Sequence, residues 1–256
     1  RGSTVPASDM KEDVYHQYAK TLDANHWWVS HRRAIFADWL ARKGVQADGK
    51  RRVLEIGCGA GVEHDFLQSY GPVTGVELSP IGAAYCREKG YAELLEQDLN
   101  TTDFGHERFD LAVDFHVLYH RWVNDPGAVL QRIFQALRPG GRLLLTEPAF
   151  EFLHRSHDEV VMAARRWSRS KLSALVCTAG FEVEHHSAFL SVISPAAIAM
   201  ALIDRFRPSG DDIRELHSQS SSLEGVLRWL LARERDVLRR IPLPFGTCWA
   251  VLAIKR

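Results

Sequence analysis

No run of about 18 consecutive apolar residues, the least a membrane helix needs, occurs in this chain, so no membrane span is expected. Charge imbalance is missing too: 32 Lys and Arg stand against 32 Asp and Glu. Proteins that track phosphate backbones show a basic excess, so no nucleic-acid partner is expected. Cysteine is scarce and scattered. Cys58, Cys86, Cys177 and Cys248 form no C-x-x-C pair, which argues for reduced thiols in a cytoplasmic setting. There is no G-x-x-x-x-G-K-S/T loop for a nucleoside triphosphate and no G-x-S-x-G nucleophile elbow. Internal repeats and low-complexity tracts are absent, and the opening Arg1-Gly2-Ser3 shows no targeting pattern.

What is present is a hydrophobic content of 46% over 256 residues, enough for one α/β domain with an embellishment. The most informative stretch is Val53-Leu54-Glu55-Ile56-Gly57-Cys58-Gly59-Ala60-Gly61. A short apolar run, the mark of a buried parallel strand, breaks into glycines on alternate positions. Glycine lets the backbone turn sharply and approach a ligand with no Cβ in the way. Val62, Phe66 and Leu67 follow at helical spacing. The segment therefore reads as strand, glycine loop, helix, a nucleotide-sized site at the carboxyl end of a strand. A dinucleotide loop would be G-x-G-x-x-G with a pyrophosphate at the helix N-terminus. Here the spacing is G-x-G-x-G, with Glu55 before the loop and Glu63 at the helix start. Carboxylates repel a pyrophosphate but suit a ligand that carries an ammonium group.

This E-x-G-x-G-x-G run resembles the first motif of the class I S-adenosylmethionine-dependent methyltransferases, of the small-molecule type. A second hallmark is Leu137-Arg138-Pro139-Gly140-Gly141-Arg142-Leu143-Leu144-Leu145, read as a helix stop followed by strand five from Arg142. The likeness is strong from Arg51 to Pro148 and weaker beyond. It implies a Rossmann-like, doubly wound seven-stranded sheet with an antiparallel last strand. It also implies S-adenosylmethionine as cofactor, leaving as S-adenosylhomocysteine. In the family, the acid ending strand two holds the adenosine ribose, which falls on Glu77 beside Leu78. The aspartate after strand three accepts from the adenine amino group while its neighbour offers a backbone N–H, which gives Asp98 and Leu99. Gly57, Cys58, Gly59 and Gly61 form the loop, and Phe115 ends strand four. Trp28 and Arg32 (or Arg33) lie in a His26–Arg33 segment like those that close over the cofactor, with the arginine aimed at the methionyl carboxylate. A solvated helix face is the competing reading of these arginines.

The chain divides by pattern into a helical cap (1–45), rich in aromatics such as Tyr15, Tyr18, Trp27, Trp28 and Trp39, and a core (46–193). A helical insertion (194–240) with a loop at Pro208–Asp212 follows, then the last strand (241–256). The insertion is expected to act as a substrate lid, or as the contact of a homodimer. The sulfonium is a good leaving group, so a base is needed only for an acceptor that must lose a proton. His116, His120 and Tyr119 follow strand four on the methyl-facing loop and are the catalytic candidates. His154 and His157 follow strand five and are candidates for the acceptor. No metal is expected: His185 and His186 are neighbours on a strand and point to opposite faces. Asn124-Asp125-Pro126-Gly127 lacks the second proline and the aromatic of the amino-methylating tetrad. The expected reaction is methylation of a small organic acceptor in secondary metabolism, at oxygen before nitrogen or carbon. A macromolecular acceptor (RNA or protein) and a non-catalytic S-adenosylmethionine-binding scaffold stay open as alternatives.

Overall fold

The computed structural model describes Tyr15, His16, Ala19, Lys20, Leu22, residues 25–206 and residues 221–256. The side chains of 156, 157, 205, 206 and 221–223 lie outside that set. Seven strands are β1 (Val53–Ile56), β2 (Val73–Val76), β3 (Glu93–Leu95), β4 (Phe109–Phe115), β5 (Leu137–Pro148), β6 (Glu182–Phe189) and β7 (Cys248–Ile254). The helices are α1 (Trp27–Arg42), α2 (His64–Gln68), α3 (Pro80–Lys89), α4 (Pro126–Ala136), α5 (Ser156–Val160), α6 (Arg169–Thr178), α7 (Ser194–Phe206) and α8 (Ser221–Leu238).

The sheet runs β3-β2-β1-β4-β5-β7-β6. The first five strands are parallel, and β7 is antiparallel to both β5 and β6. The chain leaves β1 toward β2 on one side and later returns to place β4 on the other. That reversal opens a crevice at the carboxyl ends of β1 and β4, where open α/β sheets bind ligands.

Every residue of β1 and β2 is buried, as expected of strands covered on both faces. Alternate residues feed two cores. Leu54, Ala112 and Leu143 face α4 and α6. Val53, Leu111 and Leu144 face α1, whose Ile35, Phe36 and Trp39 supply an aromatic-rich layer, and α8. Local signals start the helices. Asp125 accepts from Ala128 N (3.0 Å) with Pro126 in the first turn of α4, and Ser79 does the same for α3.

Three local readings need correction. The helix after the glycine loop is one short element, α2, reached through a turn at Ala60–Glu63. Arg138–Gly141 lies inside β5, which begins at Leu137: Gly140 N donates to Lys255 O (2.7 Å) and Lys255 N to Gly141 O (2.9 Å), so distant strand-like pairing replaces the helix stop. His154 and His157, read together as candidates for the acceptor, part company: His154 ends a 3-10 turn (Glu151–Leu153) and His157 lies in α5. Tyr18 and the Pro208–Asp212 loop lie outside the described residues. No described helix is long and apolar enough to cross a membrane.

The insertion is not one unit. Glu234 of α8 is buried and accepts from Leu190 N (2.6 Å), Ser191 N (2.8 Å) and Val192 N (3.2 Å) while meeting His31 Nε2 (3.1 Å). Arg239 forks onto Asp38 of α1 at 2.7 and 2.9 Å. Helix α8 is thus part of the core's support, whereas Ile193 and Ala197, at the start of α7, turn toward the crevice.

Candidate functional site

The crevice is a cavity of about 370 Å³, within the roughly 300–1,000 Å³ of small-molecule sites. Its first wall is the glycine loop. Gly57 has φ +59°, and a Cβ there would stand 2.6 Å from Val117, so both the turn and the packing demand glycine. Gly59 has φ +56°; a Cβ there would meet nothing nearer than 4.0 Å and would enter the cavity. Glu77 fixes this loop. It is buried at the end of β2 and accepts from Gly59 N (2.8 Å), Ser79 N (2.8 Å) and the Tyr15 hydroxyl (3.2 Å). Burial still raises its pKa above the ordinary carboxylate value.

Glu55 lies deeper, receiving a hydrogen bond from the Tyr91 hydroxyl at 2.7 Å. Burial pushes its pKa up to about 8, and the nearby Glu63 adds to the rise. Taking a carboxylate out of water disfavours its charged form, so this acid lacks a full counter-charge. Two arginines converge on Glu63: Arg32 pairs with one oxygen, and Arg33 Nε with the other at 2.7 Å. Two cations on one carboxylate leave a net positive charge. Arg32 is 4% exposed, held between the rings of Trp28 and Phe115 at 4.5 Å each, and its Nε has no hydrogen-bond partner among the described residues. An acid without a full counter-charge and a cationic pair thus share one cavity wall, which suits a zwitterionic amino-acid group.

The opposite wall is the loop after β4, clamped by the connection after β5. Asp114 and Glu147 are wholly buried side by side, and burial raises both carboxyl pKa values well above normal. They hold the loop: Asp114 accepts from Val117 N (3.2 Å), and Glu147 from Leu118 N (3.0 Å) and Trp167 Nε1 (2.9 Å). His116, at φ +64°, has Nδ1 2.8 Å from the Thr146 hydroxyl and 3.5 Å from Arg32 Nη1, with Nε2 3.4 Å from Cys248 Sγ. Burial, then the Arg32 charge, holds its pKa well below the usual value. His120 donates from Nδ1 to Val161 O (2.9 Å) and stacks on Trp122. Burial lowers its pKa to about 3. Both rings are neutral at pH 7, and the Val161 contact leaves Nε2 of His120 as its acceptor nitrogen.

Of the residues named from sequence, Trp28, Arg32, Glu55, Gly57, Cys58, Gly59, Glu77, Leu78, Leu99, Phe115, His116, Tyr119 and His120 line this cavity together. Gly61 and Asp98 stand outside its wall. Asp98 instead accepts from Asn100 N and Nδ2 at 2.8 and 2.7 Å, a turn that presents Leu99 to the cavity. His154 is half-exposed, 3.6 Å from Glu159, and does not reach the cavity; the side chain of His157 lies outside the described residues. Tyr15, Arg155 and Asp158 were not singled out as site residues from the sequence, and Arg166 only as part of a basic patch able to hold an anionic substrate group; all four are in the wall. The basic run Arg165–Arg169 was the available signal for the last of these.

A glycine loop after β1, a buried acid at the end of β2 and an apolar far lobe sit at the crevice of an α/β domain of the methyltransferase architecture. The comparisons agree: a methyltransferase-domain model matches residues 28–186, and the chain belongs to that family. It is 30% identical over 139 residues to a ubiquinone biosynthesis O-methyltransferase of Aeromonas salmonicida, covering 48% of this chain and 57% of that one. A Mycolicibacterium smegmatis protein named "probable S-adenosylmethionine-dependent methyltransferase" is 27% identical over 166 residues, 63% of this chain and 62% of its own length. The chain thus matches less than two thirds of either relative. Among solved structures, an S-adenosylmethionine-dependent methyltransferase of Mesorhizobium loti superposes with a TM-score of 0.57 at 18% identity, over 85% of this chain and 97% of that one. That likeness speaks for the fold.

Proposed function

We propose that this protein binds S-adenosylmethionine in the cavity and transfers its methyl group to a small organic acceptor, at oxygen first. The observation that carries the reading is the Gly59–Glu77 tie, which holds a bare strip of backbone and a buried acid on one ligand-sized cavity. The residues fit the group: Glu77 would hold a ribose and Leu99 an adenine, Glu55 suits an ammonium and the Arg32/Arg33 pair a carboxylate. Bound there, S-adenosylmethionine supplies a sulfonium-activated methyl group.

The protein's work is then alignment and exclusion of water. Trp28, Phe115 and Tyr119 wall the reacting region with rings. Asp114 and Glu147 hold the loop that faces it. His120, kept neutral, orients an acceptor hydroxyl through Nε2 rather than drawing off its proton outright, since a base with a pKa of about 3 is far from the optimum near neutrality. Helix α7 serves as the lid and α8 as its buttress, with the exposed Val226 and Trp229 of α8 as the surface of the expected homodimer. Cys58 and Cys86, free thiols with Cys86 Sγ donating to Cys58 Sγ at 3.3 Å, suit the reducing cytoplasm.

The test is a panel assay for S-adenosylhomocysteine release, run beside calorimetry with S-adenosylmethionine. Release with a metabolite acceptor, at micromolar cofactor affinity, is the expected result. Absence of cofactor binding would refute the reading, and binding without turnover on any metabolite would favour a scaffold.

A further inference from the structure

The far lobe of the cavity holds an arginine whose one ion pair among the described residues engages only its Nε. Arg155 stands in the wall between the 3-10 turn and α5, with its side chain 15% exposed. Its Nε meets Asp204 at 3.4 Å, a long contact, and its two Nη groups have no hydrogen-bond partner among the described residues. Asp158 is close by but committed: it takes Arg166 in a fork at 2.9 and 3.1 Å and accepts the Arg155 backbone N–H at 2.7 Å. Arg166 is spent on Asp158 and on Ala149 O. Around Arg155 the lobe is apolar, walled by Leu153, Val161, Ile193 and Ala197.

From this geometry we propose that the acceptor is an amphipathic carboxylate, its apolar body in the lobe and its carboxylate on the open Nη fork of Arg155. A planar carboxylate matches the guanidinium fork bidentately. A dianionic phosphate fits worse, because Asp158 and Asp204 flank the same arginine and repel the second charge. The inference rests on the methyl-transfer reading for what the lobe is for, but its test does not.

The protein, saturated with S-adenosylhomocysteine, is titrated calorimetrically with octanoate and 3-phenylpropionate, and separately with their neutral primary amides. Acids binding at least tenfold tighter than amides is the expected result. Arg155→Met and Arg155→Gln erase that preference, Arg155→Lys keeps part of it, and all three hold S-adenosylhomocysteine within twofold of wild type, which shows an intact fold. Equal affinity of acids and amides for the wild-type protein, no binding of either acid, or a preference that survives Arg155→Met overturns the proposal. Failure to bind S-adenosylhomocysteine would instead strike the functional reading, and the acid–amide comparison can then be made on the protein alone. With turnover, an alkali-labile methyl ester marks the carboxylate as the methylated group, and an alkali-stable product marks it as the anchor alone.

Discussion

The two halves of the cavity are built in different ways. The cofactor half uses main chain: Gly59 N–H, the turn at Ser79 and the Glu77 carboxylate come from two strand ends 18 residues apart in sequence. The far half uses side chains drawn from distant segments, with Arg155 and Arg166 on the connection after β5, Ile193 and Ala197 at the start of α7, and Cys248 on β7. Side chains on loops can be exchanged without disturbing the sheet. On the function proposed above, binding the methyl donor and choosing the acceptor would therefore be separable.

Gly59→Val breaks the first half most severely. Valine at a φ of +56° costs roughly 1–2 kcal/mol in the left-handed region, and its branches enter the cavity. Calorimetry is expected to show S-adenosylmethionine affinity falling more than about 100-fold, equivalent to roughly 2.8 kcal/mol, with acid binding at Arg155 retained. Near-normal cofactor affinity would show that the loop does not carry the site.

Glu147→Ala tests the carboxyl pair that joins the halves. It strands Leu118 N–H and Trp167 Nε1–H in a dry interior. Two unsatisfied buried donors cost about 2–5 kcal/mol together, to be read as a fall in denaturant midpoint. A change below about 1 kcal/mol would mean water enters and the pair is not the clamp described.

Acidity separates the halves more gently. Glu55 has a carboxyl pKa of about 8 in the folded protein against an ordinary 4.5. A raised folded value means that its contribution to stability is complete below pH 4.5 and is lost as pH rises through 8. A cationic ligand favours the ionised form, so cofactor affinity should rise with pH, at most tenfold per unit, and level off above 8. Binding at pH 7 should release a proton, visible as buffer-dependent heat. Glu55→Gln should flatten the slope. The acid affinity of the far lobe, set by an arginine, should not share it.

Legibility follows the same division. The glycine loop, Glu77 and most strand positions were readable because turn chemistry and apolar runs are local signals. The Tyr15–Glu77 bond (62 residues apart), the Arg32–Glu63 pair (31 apart) and the Glu234 tie to Leu190 (44 apart) left no trace in any window. Arg138–Gly141 misled for the same reason: its glycines look like a helix stop, and its partner Lys255 lies at the far end of the chain. Asp158 and Arg166, eight residues apart, were the nearest to recoverable, as an acid preceding a basic run.

The smallest effect is expected where a sequence candidate and the cavity part company. His154 was a candidate for the acceptor because it follows strand five, the edge from which such groups reach a ligand. The chain instead turns through a 3-10 segment there, leaving the ring half in solvent against an equally exposed Glu159. An exposed pair of this kind contributes about 0–1 kcal/mol. His154→Ala should leave the denaturant midpoint and acid binding within twofold of wild type, while Arg155→Met, one residue along, abolishes the acid preference. Adjacent residues with opposite outcomes would show that the direction in which the backbone aims a side chain, more than its place in sequence, decides what the acceptor meets. A His154→Ala loss as large as that of Arg155→Met would put the acceptor outside the cavity, on the surface of the loop.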